Sequence, residues 1–137
     1  MNMKFVFLHD GYSYGGAEKM FRWLASKMFS NGYDIKVCYL YNILRYDDNI
    51  PTDTLGLKQE NNFVFRNIML FILGFIKTIK YLTKNRADVV LSFGAHSYVF
   101  LVLLKPFFKY QLVVSERGDL DKHKFKALRR FLFSKSD

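Results

Sequence analysis

The chain has 137 residues, half of them hydrophobic, with 15 Phe and 9 Tyr, enough for one domain with a substantial core. Lysines and arginines number 21 against 12 aspartates and glutamates, and the net charge of +9 suits anionic partners (phosphates, nucleic acid, an acidic membrane surface) or, equally, a plain basic, solvated exterior. The single cysteine, Cys38, excludes a disulfide framework or a cysteine-based metal site within the chain and reads as a small core residue in a reducing, cytoplasmic compartment.

Residues 4–8 are an apolar run after one lysine, which predicts a strand buried on both faces of a parallel sheet. The run 3–8 is too short for a signal-peptide core and ends in His9-Asp10, so no signal peptide is expected. A glycine-rich turn follows, then a helix over 16–30 with Met20, Leu24 and Met28 on one face beside Trp23, closed by a left-handed Gly32. Residues 35–41 predict a second strand centred on Val37 and Cys38. Residues 42–60 are polar and turn-rich, with a short strand near 54–57.

Residues 61–84 predict a long helix. Phe65, Ile68, Ile72, Ile76, Ile79 and Leu82 form an apolar stripe, with Arg66, Lys77, Lys80 and Lys84 on or near the opposite face. Core packing is the plainer reading of that stripe, membrane docking the other. Its charge-free centre, 68–76, falls far short of the roughly 18 residues a spanning helix needs. Residues 87–93 predict a third strand ended by Gly94, and 95–104 a short buried helix closed before Pro106. A further strand follows over 110–116, then an "RGDLD" loop and a basic helix over 122–133. Strands alternating with helices predict an α/β class: a Rossmann-like parallel sheet with helices on both faces.

In such sheets ligands bind beyond the carboxyl ends of the strands, which puts residues 9–16 at the ligand edge. The helix that follows opens with unbonded N–H groups and a partial positive charge, suited to a diphosphate, and Gly15 and Gly16 let a ligand approach the main chain. The alternative is a turn that needs glycine for its backbone angles. Gly11, Gly15 and Gly16 do not make the dinucleotide pattern G-x-G-x-x-G, and Gly16-Ala17-Glu18 is not the Gly-Lys-Ser/Thr of a P-loop, so NAD binding and ATP hydrolysis lose ground. Glu18 reads as a carboxylate favouring the helix dipole.

His9 and His96 stand at the same edge. Either can bond a hydroxyl or phosphate of a ligand; the competing readings are a hydrogen bond to the glycine turn for His9 and a polar helix start for His96. Glu116, Arg117 and Asp119 suit hydroxyl and phosphate binding, or pair internally. Lys122, Lys124, Lys126, Arg129 and Arg130 are hard to bury and make a candidate membrane surface, whereas His123 reads as solvated.

"MKFVFLHDGYSYGGAEKM" resembles the N-terminus of family 4 glycosyltransferases, which have the two-domain GT-B fold. "ADVVLSFGAHSYVFLVLL", "LVVSERGD" and "RRFLFSKSD" resemble, in the family's order, a mid-domain strand and helix, the next strand and loop, and the helix leading to the domain's last strands. The resemblance implies a retaining transferase that moves a sugar from a nucleotide-sugar to a glycan or lipid-linked acceptor, with no metal and no cofactor, in polysaccharide or lipid-linked glycan assembly. It implies an acceptor-side N-terminal domain carrying His9, His96, Glu116, Arg117 and Asp119, and a glycine turn, Gly15 and Gly16, close to the donor's phosphates. It also implies a donor-holding second domain with a glutamate motif, to which nothing in 1–137 corresponds. Residues 1–137 are therefore expected to be one incomplete N-terminal domain of a GT-B fold, inactive alone, cytoplasmic, peripheral on the inner face of the membrane. No nucleic acid partner is expected. The reading from a different class is a non-enzymatic basic α/β module binding an anionic membrane or nucleic acid, although no RNP-type or helix-turn-helix signature is present.

Overall fold

The computed structural model describes residues 3–11, 15–41, 49–58, 64–115, 131 and 134. Strands and helices alternate along them except at β2 and β3, which follow one another: β1 (Lys4–His9), α1 (Gly16–Ser30), β2 (Asp34–Tyr41), β3 (Thr52–Leu57), α2 (Val64–Lys84), β4 (Val89–Phe93), α3 (Ala95–Leu104) and β5 (Gln111–Ser115). The expected loop and basic helix after β5 lie outside the described residues. With them go Glu116, Arg117, Asp119, Lys122, Lys124, Lys126, Arg129 and Arg130.

All four strand pairings are parallel, in the order β3-β2-β1-β4-β5. Each connection between paired parallel strands must cross over a face of the sheet, and a helix is the compact way to do it. Alternate side chains of each strand feed two cores. Val6, Leu8, Cys38, Leu40, Val90 and Leu112 point to the face covered by α2 and α3. Phe7, Val37, Tyr39 and Phe93 point to the face covered by α1. Cys38 is buried as expected, and burial pushes its thiol pKa well up.

Two helices keep their expected positions but turn by a fraction of a turn about their axes. In α1 the buried positions are Glu18, Phe21, Arg22 and Ala25, while Met20 and Trp23 are exposed and Leu24 and Met28 half-buried. The reason is aromatic: Phe21 sits among Phe7, His9, Tyr39 and Phe93, with ring centroids 4.9–5.8 Å away. The helix ends with Tyr33 N–H donating to the Met28 carbonyl and Gly32 N–H to that of Phe29, the Schellman pattern.

In α2 the expected core stripe is corrected more sharply. Leu82 is buried and Ile79 half-buried, but Ile68, Ile72 and Ile76 are exposed. The helix instead seats Gly74, Thr78, Tyr81 and Leu82 on the sheet. Gly74 decides this seating, because a Cβ there would stand 3.0 Å from both Leu57 and Phe100. A glycine lets those side chains close against the helix backbone, and Thr78 satisfies its buried hydroxyl on the Gly74 carbonyl at 2.8 Å. Lys77, expected toward the outer side, is half-buried and donates to the Leu55 carbonyl at 2.6 Å.

Candidate functional site

The strand order reverses direction between β1 and β4, since β1 connects leftward to β2 and β4 rightward to β5. At such a point the connections leave on opposite faces and open a crevice at the carboxyl edge. His9 and Phe93, the last residues of β1 and β4, are register partners there. The loop after β1, Tyr41 at the end of β2, and the N-termini of α1 and α3 surround the same edge.

The two helix N-termini are treated differently by the sequence. At α3, Asp10 acts as a cap supplied from outside the helix. Its carboxylate accepts from the backbone N–H of His96 at 2.8 Å and of Ser97 at 2.6 Å. Gly94 makes room for this. It has φ of 139°, and a Cβ would lie 2.5 Å from the Asp10 carboxyl carbon. At α1, by contrast, the N-cap residue is Gly15, which has no side chain of its own to cap the helix. Gly15 has ordinary extended angles, φ −81° and ψ 169°, and a Cβ on Gly16 would meet open space. Backbone strain therefore does not explain this pair. With no side chain on the N-cap residue, the first turn of α1 can offer its N–H groups to an anion.

Beneath that turn lies a buried polar cluster. Glu18, 3% exposed, accepts from the Tyr39 hydroxyl at 2.6 Å and stands 3.3 Å from His9 Nε2. Gly11 N–H donates to His9 Nδ1 at 3.2 Å. A ring nitrogen that accepts carries no proton, so neutral His9 bears its hydrogen on Nε2, toward Glu18. Burial lowers the His9 pKa, against the pull of the Glu18 and Asp10 carboxylates, and keeps the ring neutral at pH 7. One turn further, Arg22 reaches the Thr52 hydroxyl at 3.3 Å and ties α1 to β3.

Of the residues expected at the site, Gly15, Gly16 and His96 lie on the surface of the carboxyl edge, while His9 lies under it with both ring nitrogens engaged inside the fold. The imidazole of His96 is exposed, with Nδ1 3.4 Å from the Tyr41 hydroxyl and 3.6 Å from Asp10 Oδ2. Burial, aided by Asp10, raises the Tyr41 pKa and keeps its hydroxyl protonated. The Tyr41 ring packs on Gly11, where a Cβ would come within 2.9 Å of it. Imidazole, phenol and carboxylate thus meet beside two helix N-termini, an arrangement able to hold hydroxyls and a phosphate together. Asp10, Tyr41 and Tyr39 were not singled out by sequence reasoning, and Glu18, read as favouring the helix dipole, is instead buried against Tyr39 and His9. For Asp10 a signal existed, an acid directly after a buried strand. For the others the partner is remote in sequence and no local pattern marks it.

Two hollows, of about 320 and 310 Å³, lie at the opposite, amino edge of the sheet, lined by residues such as Arg86 and Phe107 in one and Lys4 and Lys36 in the other. They are remote from the strand ends that carry the polar cluster, and among the described residues no helix begins at the amino edge. Among the described residues no group of three metal-ligating side chains occurs, and no helix is long and apolar enough to cross a membrane.

No family model and no curated protein sequence matches the chain. Solved structures do. The lipopolysaccharide outer core galactosyltransferase WaaB, in its apo form, superposes with a TM-score of 0.73 at 12% identity, over 98% of this chain and 38% of WaaB. Anabaena HepE, in complex with UDP and glucose, gives 0.69 at 16% identity, over 97% of this chain and 35% of HepE. MurG of Acinetobacter baumannii gives 0.72 at 13% identity, over 98% of this chain and 40% of MurG. The chain thus spans about two-fifths of the length of these proteins or less, a share that fits an N-terminal portion. At such identities the likeness is one of fold, and the fold is a Rossmann-like parallel layer of the kind found in GT-B glycosyltransferases.

Proposed function

We propose that the chain is the acceptor-side, N-terminal portion of a retaining glycosyltransferase that moves a sugar from a nucleotide-sugar to a glycan or lipid-linked acceptor, as in polysaccharide assembly at the inner face of a membrane. The observation that carries this reading is the contrast between the two helix N-termini at the crevice. Asp10 fills the one at α3, whereas the one at α1 opens with Gly15 and Gly16, which bring no capping side chain of their own. An intramolecular carboxylate already serves the first; the second suits a ligand's anion. The solved structure of HepE, which shares the fold, holds UDP and glucose.

In the proposed reaction the bond from the sugar's anomeric carbon to the diphosphate oxygen breaks, and a bond to the acceptor oxygen forms as the acceptor hydroxyl loses its proton. The first-turn amides and partial positive charge of α1 favour the negative charge that builds on the departing diphosphate. His96 and Tyr41 stand where acceptor hydroxyls are held. His9 and Glu18 keep the loop and helix in place from below. Residues 1–137 form a single acceptor-side layer in this account.

The test has two arms. The purified chain should show no sugar transfer and no hydrolysis of a nucleotide-sugar, and robust turnover would overturn the division of labour. Gly16→Val should weaken binding of a nucleoside diphosphate at least tenfold; unchanged affinity would remove α1 from the site.

A further inference from the structure

The two hollows at the amino edge of the sheet meet at Arg86, and one of them holds a lysine fixed in place. Lys4 and Lys36 stand two residues before Val6 and Cys38, so alternation turns them to the same face, beneath the C-terminal end of α2. Asn85 follows that helix. Its amide donates to the Tyr81 carbonyl at 3.1 Å, and its Oδ1 accepts from Lys36 Nζ at 2.7 Å. The half-buried lysine is thereby positioned by a bond that uses one of its three ammonium hydrogens. Lys4, Lys84 and Arg86, all exposed, line the same hollow of about 310 Å³.

On the other side of Arg86 the hollow of about 320 Å³ adds Lys109, Thr83 and the ring of Phe107, which is 81% exposed. The edge thus presents cations strand by strand. Across the order β2-β1-β4-β5 they are Lys36, Lys4, Arg86 and Lys109, the last two just ahead of their strands. Neighbouring strands lie about 4.8 Å apart, which sets the step of the row. Carboxylates stand among these cations. Asp34 is the register partner of Lys4, and Asp88, one residue before β4, accepts from the Lys4 backbone N–H at 2.8 Å.

We infer that this edge binds an acidic glycan, an extended chain of sugars with carboxylates spaced along it. Length is the first reason. All these cations but Lys36 are exposed, where a single charge pair contributes little. A chain that meets several of them at once gains what a short diphosphate cannot. Charge pattern is the second. Carboxylates set among the cations accept from sugar hydroxyls and repel a chain with a phosphate on every unit, which favours a glycan over a nucleic acid. The Phe107 ring suits the apolar C–H face of a pyranose, and the Thr83 and Asn85 side chains suit its hydroxyls. The site lies at the edge opposite the α1 turn and does not rest on the transferase reading, since holding a glycan here needs neither nucleotide nor transfer.

The test is calorimetric titration of the full chain with the hexamer of galacturonic acid, alongside maltohexaose and a six-nucleotide oligothymidylate of similar charge. The galacturonate hexamer should bind, less tightly as salt rises, and maltohexaose should bind at least tenfold more weakly. Lys4→Gln with Arg86→Gln should weaken the hexamer at least tenfold with an unchanged circular dichroism spectrum, because both side chains are exposed. Lys19→Gln with Lys58→Gln removes the same charge from exposed positions toward the carboxyl edge and should leave affinity within about twofold. Phe107→Ala should weaken the hexamer several-fold.

Backbone amide shifts of the unaltered chain give a readout that does not depend on variant stability. The hexamer should move Lys4, Lys36, Asn85 and Arg86 and leave Gly16 and Ala17 in place. The α1 turn answers to UDP separately, so the two readings fail independently. Equal losses for the two lysine-removing pairs, tighter binding of the oligothymidylate, or no shift at the amino edge would each overturn the inference. The second of these would assign the edge to a single-stranded nucleic acid.

Discussion

Replacing Glu18 tests whether the buried cluster under the α1 turn organises the site. The Tyr39 hydroxyl is fully buried and donates to Glu18 Oε1 at 2.6 Å, and His9 Nε2 lies 3.3 Å from Oε2. Glu18→Ala removes the acceptor from both at once. A buried polar group left without its partner costs about 1–3 kcal/mol, so the two together lose about 2–6 kcal/mol. Relief of the buried carboxylate's own desolvation pulls the total toward the lower end, about 2–3 kcal/mol. Glu18→Gln is the discriminating variant. Its carbonyl oxygen can still accept from Tyr39, but its amide then presents N–H groups toward His9 Nε2–H. His9 cannot switch tautomer without facing the Gly11 N–H with a second donor. Glutamine should therefore lose about 1–2 kcal/mol despite matching shape. Urea unfolding followed by circular dichroism reads both values. Losses under about 0.5 kcal/mol for both variants, the range of an ordinary surface substitution, would refute the idea that Glu18 holds the cluster together.

Gly94→Ala should destabilise by about 1–3 kcal/mol and displace Asp10 from α3, because its φ of 139° suits glycine alone and the new Cβ would meet the Asp10 carboxyl at 2.5 Å; an unchanged thermal midpoint contradicts this. Asp10→Ala should cost about 1–2 kcal/mol, the usual loss on removing a helix cap, read by urea unfolding. Gly16→Ala should leave stability level or slightly raised, since its Cβ meets open space and alanine suits a helix, yet should weaken nucleoside diphosphate binding in calorimetric titration. Stability should also fall as pH drops below 6.5. His9 has its pKa lowered from 6.5 by burial, so the unfolded chain takes up a proton that the folded chain refuses. The loss reaches up to about 1.4 kcal/mol per pH unit until the folded pKa is passed. His9→Gln should flatten that dependence between pH 6.5 and 5.

The sheet and its order of elements were legible because buried parallel strands are short, apolar and bounded by turn residues. The runs around Phe7, Val37 and Val90 announce themselves without any tertiary knowledge. α1 and α3 fall on the predicted residues, and Gly15, Gly16 and His96 lie at the predicted edge. Helix rotation was less legible. Period alone leaves open which part of an apolar helix meets the sheet, and α2 is apolar nearly all round over 68–76. A glycine and a threonine, Gly74 and Thr78, occupy its contact line, where a count of large side chains would not look. The polar cluster was hidden for a different reason. Glu18 meets His9 and Tyr39 only once β1 and β2 are paired and α1 is laid across them, and no spacing within any one element encodes that meeting.

The account turns on the first turn of α1 receiving a ligand's phosphates. Backbone amide shifts of the 15N-labelled chain, recorded while UDP and then uridine are titrated, test it most directly. UDP should move the amides of Gly16, Ala17 and Glu18 most, together with His96, and uridine should leave them in place. Shifts centred instead on Lys4, Lys36 and Arg86 at the amino edge, or equal shifts with both compounds, would contradict it.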